Sequence, residues 1–488
     1  MIPVLLIVVP LISGVISFLL KSESSAKAWA LFSSVITLVV SLLGLTLLND
    51  YSYLHADKTW MVSLGSNFSV SLDGMGQLLC LLTALAFPLV FLSTYKSTYK
   101  RANSFYAFML LSQAGLMGVF LSVDALLFYF FWELALIPAY FLCSGWGGER
   151  RIQVTFKFFI YTFIGSLFML VGILYIYSKT PDHSFALTSF YNLHLSSTDQ
   201  AWLFWLFFVA FAIKMPIFPF HTWQPDTYEQ SPTATTMILS GVMVKMGVFA
   251  LIRWLVPVLP IASWAWGDTV SILAVTGMIY ASLLAMRQDD LKRLIAYSSI
   301  AHIGLMCLAV FANSPSGMQG VMIQMFSHGI NIIGLWIVVE LIERQFGTRK
   351  MSELGGIAQK APVLAIMLVV VSLANVALPL TNAFIGEFLM FNGIFSSTVT
   401  KYNIIFAVLA LITIILSAIY TLSMIQKVLY GNTNALTSNG SDMNGNEKLA
   451  LSIIVVLILV IGVYPKPFME LTQGTVDTIL SRMITKHP

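Results

Sequence analysis

Long apolar runs recur along nearly the whole of this chain, and they constrain its fold more than any other feature. Several runs are eighteen residues or longer, about the length that an α-helix needs to cross a bilayer. The runs are continuous and do not alternate in period two, which argues against a membrane β-barrel. Charged residues make up 10% of the 488 positions, against roughly 25% in soluble domains. The sequence therefore predicts an all-α polytopic membrane protein.

Fourteen membrane spans are predicted from these runs. The first begins at Met1 without a basic leader or a cleavage site, so we interpret it as a retained span rather than a signal peptide. The twelfth is too long for one straight crossing and contains Pro379, so we interpret it as broken, like the seventh. The predicted spans are 2–20, 28–48, 75–95, 104–122, 125–145, 154–178, 201–222, 232–256, 268–287, 293–312, 317–343, 362–398, 402–428 and 449–464.

The division of Lys and Arg between loops predicts the orientation. Fifteen lie in or beside the loops that follow odd-numbered spans, whereas the even-numbered loops contain three. We therefore predict that the odd loops face the cytoplasm and that both termini face outside. The segment after Pro467 has apolar residues at i, i+3, i+4 and i+7 spacing, which predicts an amphipathic helix on the outer surface. Those apolar residues are Val476, Ile479, Leu480, Met483 and Ile484.

Lys214 is the most unusual residue within a span. It follows thirteen uninterrupted apolar residues from Ala201 to Ile213, and an ammonium at that depth costs at least ~2.5 kcal/mol. Pro216 removes a backbone N–H and displaces the carbonyl of Ala212. Freed backbone at membrane depth must be buried in protein or face a wet cavity. We therefore predict that Lys214 lines hydrated space.

Five more ionisable side chains within spans are candidates for a proton path. Intramembrane ionisable residues mark functional sites by default, and they should have partners. A carboxylate and a lysine whose separation varies can take up and release a proton, because their attraction changes the affinity of the lysine for it. Histidine titrates near neutral pH and therefore suits a relay. The five are Glu133, Lys245, His302, His328 and Glu387.

Each of these residues also has a structural interpretation. Glu133 could be hydrogen-bonded within the bundle, or it could form a static ion pair with Lys214, and a membrane histidine is often structural. Lys157 lies one turn into its span and could extend to the surface. Arg253 is interpreted as an interfacial anchor, and Glu340 as solvated near the cytoplasm.

The remaining polar and sulfur-containing residues are interpreted as structural. Asp226 and Glu229 are predicted to lie in a turn before the eighth span. Cys80, Cys143 and Cys307 lie in apolar segments without CxxC spacing. We interpret them as buried small hydrophobic residues rather than as iron–sulfur, zinc or disulfide ligands.

Spans seven and twelve share one layout, since each is broken at a proline and has an ionisable residue close by, Lys214 or Glu387. They are five spans apart, and a repeat of five helices enters the membrane in the opposite direction. We therefore predict that spans four to eight and nine to thirteen are inverted repeats. The predicted domains are 1–103 for spans one to three, 104–256 and 257–428 for the two repeats, and 429–488 for a cytoplasmic loop, the last span and the outer tail.

Four segments of the chain are distinctive motifs: FFWELALIPAYFL, FPFHTWQPDTYEQSPTATTMILSGVMVKMG, DDLKRLIAYSSIAHIGLM and NAFIGEF. They resemble the antiporter-like membrane subunits of respiratory complex I, the NADH:quinone oxidoreductase. The resemblance covers nearly the whole chain and is densest over 104–428. Gly386-Glu387-Phe388 resembles the M-type branch, because other antiporter-like subunits usually have lysine at the middle position. Gln224 departs from the pattern WLPD, in which leucine is expected.

The resemblance implies a role for each candidate residue. Glu133 and Lys214 would form the coupled pair of one half-channel, and Lys245 would be the central lysine. The connecting axis and the outlet would be His302, His328 and Glu387. The chain would be a translocase subunit in a bacterial inner membrane, beside L-type and N-type subunits, without a nucleic-acid partner or a cofactor of its own. NADH, FMN, iron–sulfur clusters and quinone are expected in other subunits.

Two alternatives remain open at this stage. Multisubunit sodium/proton antiporters and membrane-bound hydrogenases share the same fold and the Glu/Lys/Lys set, so those three residues do not discriminate between them and complex I. The other alternative is a membrane scaffold that does not pump protons.

Overall fold

The computed structural model describes residues 1–47 and 51–484, so position 48 of the second predicted span and the side chain of Ile484 lie outside it. Within those ranges, twelve helices are long and apolar enough to cross a membrane. They match the predicted spans other than the seventh and the twelfth. The inverted repeats, the total of fourteen spans and the domain boundaries stay predictions.

The chain forms helices almost throughout. Short 3-10 turns lie at Val62–Leu64 and Met351–Glu353. In order, the elements are α1 (Ile2–Leu19), α2 (Glu23–Thr46), α3 (Tyr51–Leu54), β1 (His55–Met61), β2 (Ser66–Ser71), α4 (Gly74–Ser93), α5 (Ala102–Leu121), α6 (Ala125–Trp146), α7 (Arg151–Lys179), α8 (Leu187–Asn192), α9 (Ser197–Lys214), α10 (Trp223–Gln230), α11 (Thr233–Ile238), a π-helical turn (Leu239–Met243), α12 (Lys245–Ala250), a second π-helical turn (Leu251–Leu255), α13 (Pro260–Met286), α14 (Leu291–Phe311), α15 (Pro315–Phe346), α16 (Ile357–Lys360), α17 (Pro362–Asn375), α18 (Asn382–Phe395), α19 (Asn403–Leu429), α20 (Gly445–Val463) and α21 (Lys466–Ile484).

The seventh predicted span is broken after α9, as predicted. Pro216 leaves the carbonyl of Ala212 without its regular helical donor. This carbonyl accepts instead from the backbone N–H of Ile217 at 2.8 Å, and the indole of Trp223 donates to the carbonyl of Ile213 at 3.0 Å. Both carbonyls are thus satisfied by protein groups, so the break does not by itself require the hydrated space that we predicted.

The twelfth predicted span is broken between α17 and α18, again as predicted. Ala377 and Leu380 have φ angles of 60° and 73°, and the left-handed conformation costs a non-glycine residue about 1 kcal/mol. Asn331 on α15 donates to the carbonyl of Ala374 at 3.2 Å. On the other side, a Cβ on Gly462 would lie 2.2 Å from the carbonyl oxygen of Leu380. Close neighbours on both sides therefore stabilise the strained break.

The start of α17 is capped by a residue from a distant loop. The carboxylate of Asp442 accepts the backbone N–H groups of Val363 at 3.0 Å and of Leu364 at 3.1 Å. Burial acts to raise the pKa of Asp442, but these donors outweigh it, so the pKa lies below its ordinary value of 3.8. The ionised carboxylate therefore stabilises the helix that leads into the break.

The helices form an inner group and an outer group. The segment Thr233–Leu255 is buried along its whole apolar length, and α14 and α15 are buried over 94% of theirs. In α2 and α19 the corresponding shares are 33% and 39%, so apolar side chains on those helices face outward. The inner helix α15 packs against α4, α11, α14, α17 and α18. Polar side chains on the inner helices are therefore separated from lipid.

Two elements depart from the predictions. The strands β1 and β2 form an antiparallel hairpin that pairs His55 with Ser71, which adds a small sheet to the predicted all-α fold. The tail helix α21 is present, but Val476, Ile479 and Leu480 are buried and α21 packs on α4 and α15. Protein therefore covers these three apolar residues, which the sequence did not predict, and the position of α21 on the outer side stays a prediction.

Arg253 has an ion-pair partner that the sequence did not predict. Its Nη2 donates to both carboxylate oxygens of Asp73, at 2.7 and 2.6 Å. Asp73 in turn caps α4 by accepting the N–H of Gly76 at 2.9 Å. The side chain of Arg253 is 11% exposed and that of Asp73 is 31% exposed, so the pair is partly open, and the interpretation of Arg253 as an interfacial anchor stays a prediction.

Candidate functional site

Lys245 and His328 are in direct contact at the centre of the inner helices. Lys245 is fully buried, and its Nζ lies 2.8 Å from Nδ1 of His328. The same ammonium donates to the carbonyl of Ser240 at 2.8 Å. Ser240 belongs to the π-helical turn Leu239–Met243, a type of irregularity that is frequent at functional sites. The turn therefore supplies a backbone acceptor to a lysine that forms no ion pair with a carboxylate in the described part of the chain.

His302 and Glu387 continue this contact toward the twelfth predicted span. The rings of His302 and His328 lie 5.6 Å apart between centroids, and Nδ1 of His302 lies 3.0 Å from Oε1 of Glu387. His302, His328 and Glu387 are each at least 93% buried as whole residues. Together with Lys245 they form one row that crosses α12, α15, α14 and α18. Four of the six predicted residues are thus brought together.

Neutral polar residues complete this row, and the sequence analysis missed them. Gln324 donates to Oε1 of Glu387 at 3.3 Å, and Asn375 lies 3.4 Å from Nε2 of His302. Ser298 accepts from Asn375 at 3.3 Å and from Tyr420 at 2.9 Å. The sequence did contain a signal for two of them, because amides are unusual in apolar runs. Gln324 lies one turn before His328, and Asn375 lies beside the predicted break of the twelfth span.

The other two predicted residues, Glu133 and Lys214, lie apart from the row. Lys214 is 2% exposed. Its Nζ has no hydrogen-bond partner among the residues that the structure describes, but it lies 5.6 Å from the ring centroid of Trp132. The adjacent Glu133 is half-buried and has one unpartnered carboxylate oxygen. Their charges interact, yet they form no salt bridge within 4.0 Å. The static ion pair weighed above is therefore not present in this conformation.

A polar cavity of about 590 Å³ opens beside α10; we call it the vestibule. Its wall includes Lys292, which pairs with Glu343 at 2.7 Å, and Glu340, which is half-buried and faces this open cavity. Its lining comes from residues in or beside the loops that follow the third, fifth, seventh, ninth and eleventh predicted spans, all on the predicted cytoplasmic side. The lining residues are Ser97, Thr98, Tyr99, Lys100, Gly145, Trp146, Gly147, Gly148, Arg151, Glu229, Gln230, Ser231, Pro232, Thr233, Lys292, Glu340, Glu343 and Arg349.

Asp226 and Glu229 lie on α10 and not in the turn that we predicted. Glu229 accepts from Arg293 at 2.8 Å, and it pairs with the guanidinium groups of Arg150 and Arg349 at 3.3 Å. These ion pairs explain why acidic residues belong at this end of α10. Lys157, whose role was left open, pairs with Asp226 at 2.8 Å.

The candidate site is built from ionisable and amide side chains. Across residues 1–47 and 51–484, no three His, Cys, Asp or Glu side chains are grouped closely enough to bind a metal ion. The three cysteines are free and buried, which confirms their interpretation as small core residues. Groups of these types at 2.8–3.0 Å can exchange protons, since such transfers need hydrogen-bond distances.

The fold and the site define an antiporter-like class of polytopic membrane protein, in which broken helices surround a buried row of ionisable residues. The family model for the transmembrane region of NADH:quinone oxidoreductase/Mrp antiporters matches residues 122–417. The chain therefore belongs to this family, and the resemblance seen in its motifs is confirmed.

Full-length relatives support the assignment. The chain is 35% identical to NADH-quinone oxidoreductase subunit M of Rickettsia typhi over 491 residues, which cover 97% of each chain. It is 34% identical to F(420)H(2) dehydrogenase subunit M of Methanosarcina mazei over 507 residues, or 99% of each. A chain in the structure of respiratory complex I from Thermus thermophilus with bound NADH superposes with a TM-score of 0.91 at 27% identity, covering 99% of this chain and all of that one.

Proposed function

We propose that this chain is the M-type, proton-translocating subunit of a bacterial NADH:quinone oxidoreductase. The observation that carries the proposal is the buried row from Lys245 through His328 and His302 to Glu387. Nζ of Lys245 lies 2.8 Å from Nδ1 of His328, and Nδ1 of His302 lies 3.0 Å from Oε1 of Glu387. The centroids of the two histidine rings are 5.6 Å apart. Buried ionisable residues are costly in a membrane, and a row of four is difficult to explain by packing alone. A proton path gives each of them a role.

Glu133 and Lys214 act as the coupled pair that loads this path. The two charges attract each other without touching, so a small movement of α6 or α9 changes their attraction. Approach of the carboxylate favours the ammonium, and separation favours release of its proton. A perturbation that arrives from neighbouring subunits would act on this separation. The proton then passes to Lys245, through the two histidines, and out past Glu387.

The assembled enzyme supplies the redox chemistry from elsewhere. NADH, FMN, iron–sulfur clusters and quinone belong to other subunits in this proposal, and the chain contributes translocation. Its neighbours in the membrane arm are L-type and N-type antiporter-like subunits. The complex lies in the bacterial inner membrane with both termini of this chain outside, as the loop charges predict.

Substitution of Lys214 by alanine in the assembled complex tests the proposal. Inside-out vesicles are energised with NADH, and the pH gradient and the oxidation rate are measured together. We expect a large loss of proton translocation, because the loading site is gone. Lys27→Ala is the matched control, since Lys27 is also buried but pairs with Glu23 at 2.8 Å on the outer helix α2. Normal proton translocation by an assembled Lys214→Ala complex would refute the proposal that Glu133 and Lys214 load a half-channel.

The chain is also similar to an F(420)H(2) dehydrogenase subunit, and the sodium/proton antiporter and the hydrogenase are alternative complexes. The identity of the complex and of its electron donor is therefore tested separately from the proton path. Co-purification decides among them. If this chain purifies with NADH:quinone reductase activity, the donor in the proposal is correct. If it purifies with a compact antiporter or a hydrogenase instead, the proton path remains but the complex is a different one.

A further inference from the structure

A cavity of about 450 Å³ lies between α18 and α19; we call it the lateral pocket. Its volume is within the range of about 300–1,000 Å³ that is typical of small-molecule sites. Aromatic side chains from α18 and aliphatic side chains from α19 form most of its wall. The aromatic residues are Phe384, Phe388, Phe391 and Phe395. The pocket is therefore suited to an apolar ligand body.

The lateral pocket opens toward the lipid. Phe388 and Phe395 are 60% and 58% exposed, and Leu411 on the α19 wall is 47% exposed. All three belong to apolar helices of predicted spans, where an exposed side chain faces hydrocarbon. A ligand therefore reaches the pocket through the bilayer and must be soluble in lipid.

Glu387 is the only ionisable residue among the described residues that line the lateral pocket. It is 4% exposed. Nδ1 of His302 lies 3.0 Å from its Oε1, and Nε2 of Gln324 donates to the same oxygen at 3.3 Å. The two oxygens of a carboxylate offer about four acceptor positions, so Oε2 remains available to a ligand. The pocket therefore combines a buried negative charge with an apolar wall.

The aromatic rings lie beside this carboxylate. The four phenylalanines follow i, i+4, i+7 and i+11 spacing, which places them in one stripe along α18, and Glu387 is three residues from Phe384 and four from Phe391. The rings of Phe384 and Phe388 are stacked with their centroids 5.9 Å apart. The face of an aromatic ring attracts a cation, and a buried carboxylate attracts one more strongly than an exposed carboxylate does.

We propose that the lateral pocket binds a lipid-soluble organic amine in its protonated form. The ammonium pairs with the carboxylate of Glu387, and the apolar body lies among the phenylalanine rings. Association forms and breaks no covalent bond. The bound ammonium occupies the carboxylate from which the proton leaves, so the amine inhibits proton translocation. This inhibition rests on the proposed function, whereas the binding does not.

The test is equilibrium binding of a radiolabelled phenylbutyl dimethylamine to the purified, assembled complex in nanodiscs, after subtraction of its partitioning into empty nanodiscs. Glu387→Gln removes the charge and keeps the size of the side chain. We expect it to lower the affinity at least about tenfold, the effect of losing one charge-assisted hydrogen bond. Leu411→Trp fills the pocket with an indole and should weaken binding to a similar extent without touching the buried row. Leu422→Trp is the matched control, since Leu422 is 56% exposed on the same helix but does not line the pocket.

Weaker binding to both pocket variants, with Leu422→Trp unchanged, supports the site. Wild-type affinity in either assembled pocket variant overturns it. Equal competition by the hydrocarbon in which a CH group replaces the nitrogen also overturns it, because the pocket would then bind apolar chains without regard to charge.

Inhibition is measured separately, as the NADH-driven pH gradient in inside-out vesicles. Leu411→Trp should resist the amine and Leu422→Trp should not, whereas direct collapse of the gradient by the amine would be equal in both variants. Binding without such a difference supports the site but contradicts the role of Glu387 as the outlet, so failure of the proposed function is distinguishable from failure of the binding site.

Discussion

Replacement of Lys245 separates the proton path from the stability of the fold. Lys245→Met keeps the length of the side chain and removes the ammonium. His328 then loses its partner at 2.8 Å, and the carbonyl of Ser240 loses a donor at the same distance. Lys245→Arg keeps the charge, but a guanidinium cannot release its proton in a protein. The two variants therefore distinguish a buried charge from a proton relay.

The expected magnitudes differ for stability and for transfer. Removal of the ammonium relieves a burial cost of at least about 2.5 kcal/mol and forfeits two charge-assisted hydrogen bonds of about 1.5–3 kcal/mol each. The net loss of stability is therefore about 3.5 kcal/mol or less, and the complex should assemble. A positioned acid–base group contributes about 10²–10⁴ to a proton transfer. Transfer through this chain should accordingly fall at least about a hundredfold in both variants.

The assay measures the pH gradient and NADH oxidation in the same inside-out vesicles, after assembly has been checked on native gels. Lys27→Met on the outer helix α2 is the control for the loss of a buried lysine. Wild-type proton translocation by Lys245→Arg would show that only the charge matters. Wild-type translocation by Lys245→Met would refute the path altogether.

Further predictions concern the far end of the row and two structural contacts. His302→Ala should abolish proton translocation in assembled complex because it separates the histidine row from Glu387, whereas intact pumping would remove both residues from the path. Glu387→Gln should also block release while leaving assembly intact, as measured by the pH gradient. Arg253→Ala leaves the partly exposed carboxylate of Asp73 without its cation and should lower the stability of the purified complex by about 1.5–3 kcal/mol, the range for a hydrogen bond to a charged group; an unchanged Tm would contradict this. Asp442→Ala should lower stability by about 1 kcal/mol at neutral pH. Because the folded pKa of Asp442 is depressed, this difference should be complete above pH 3.8 and vanish as the pH falls through the lowered pKa, so an equal loss of Tm at every pH would refute the cap.

Sequence reasoning located the spans, the two breaks and the ionisable residues, because each has a strong local signal. Apolar runs and prolines are visible in the order of residues, and a charge within such a run is costly enough to be conspicuous. The contacts between candidates could not be predicted in this way. Lys245 and His328 are 83 residues apart, and His302 and Glu387 are 85 apart, so their meeting depends on how four helices pack.

Other features could not be predicted from the sequence because the same residue pattern occurs in two different environments. The apolar face of α21 has the same spacing whether it meets lipid or α4 and α15. Gln324 and Asn375 were passed over because a neutral amide is far cheaper to bury than a charge. Arg253 lies near the end of a predicted span, where an interfacial anchor and a member of an ion pair have the same sequence pattern. The partner Asp73 is 180 residues away in the sequence, so only the structure shows the contact.

The π-helical turn at Leu239–Met243 has a consequence for how this chain can change over evolution. Such a turn holds one more residue than a regular α-helical turn. Loss of one residue from Leu239–Met243 would therefore restore a regular helix and leave Lys245 on nearly the same face, because the turn absorbs its extra residue. The carbonyl of Ser240 would then accept a backbone N–H within the regular helix, and the ammonium of Lys245 would lose this acceptor. The acceptor thus depends on the length of the turn, and sequence comparisons across Leu239–Met243 must preserve that length.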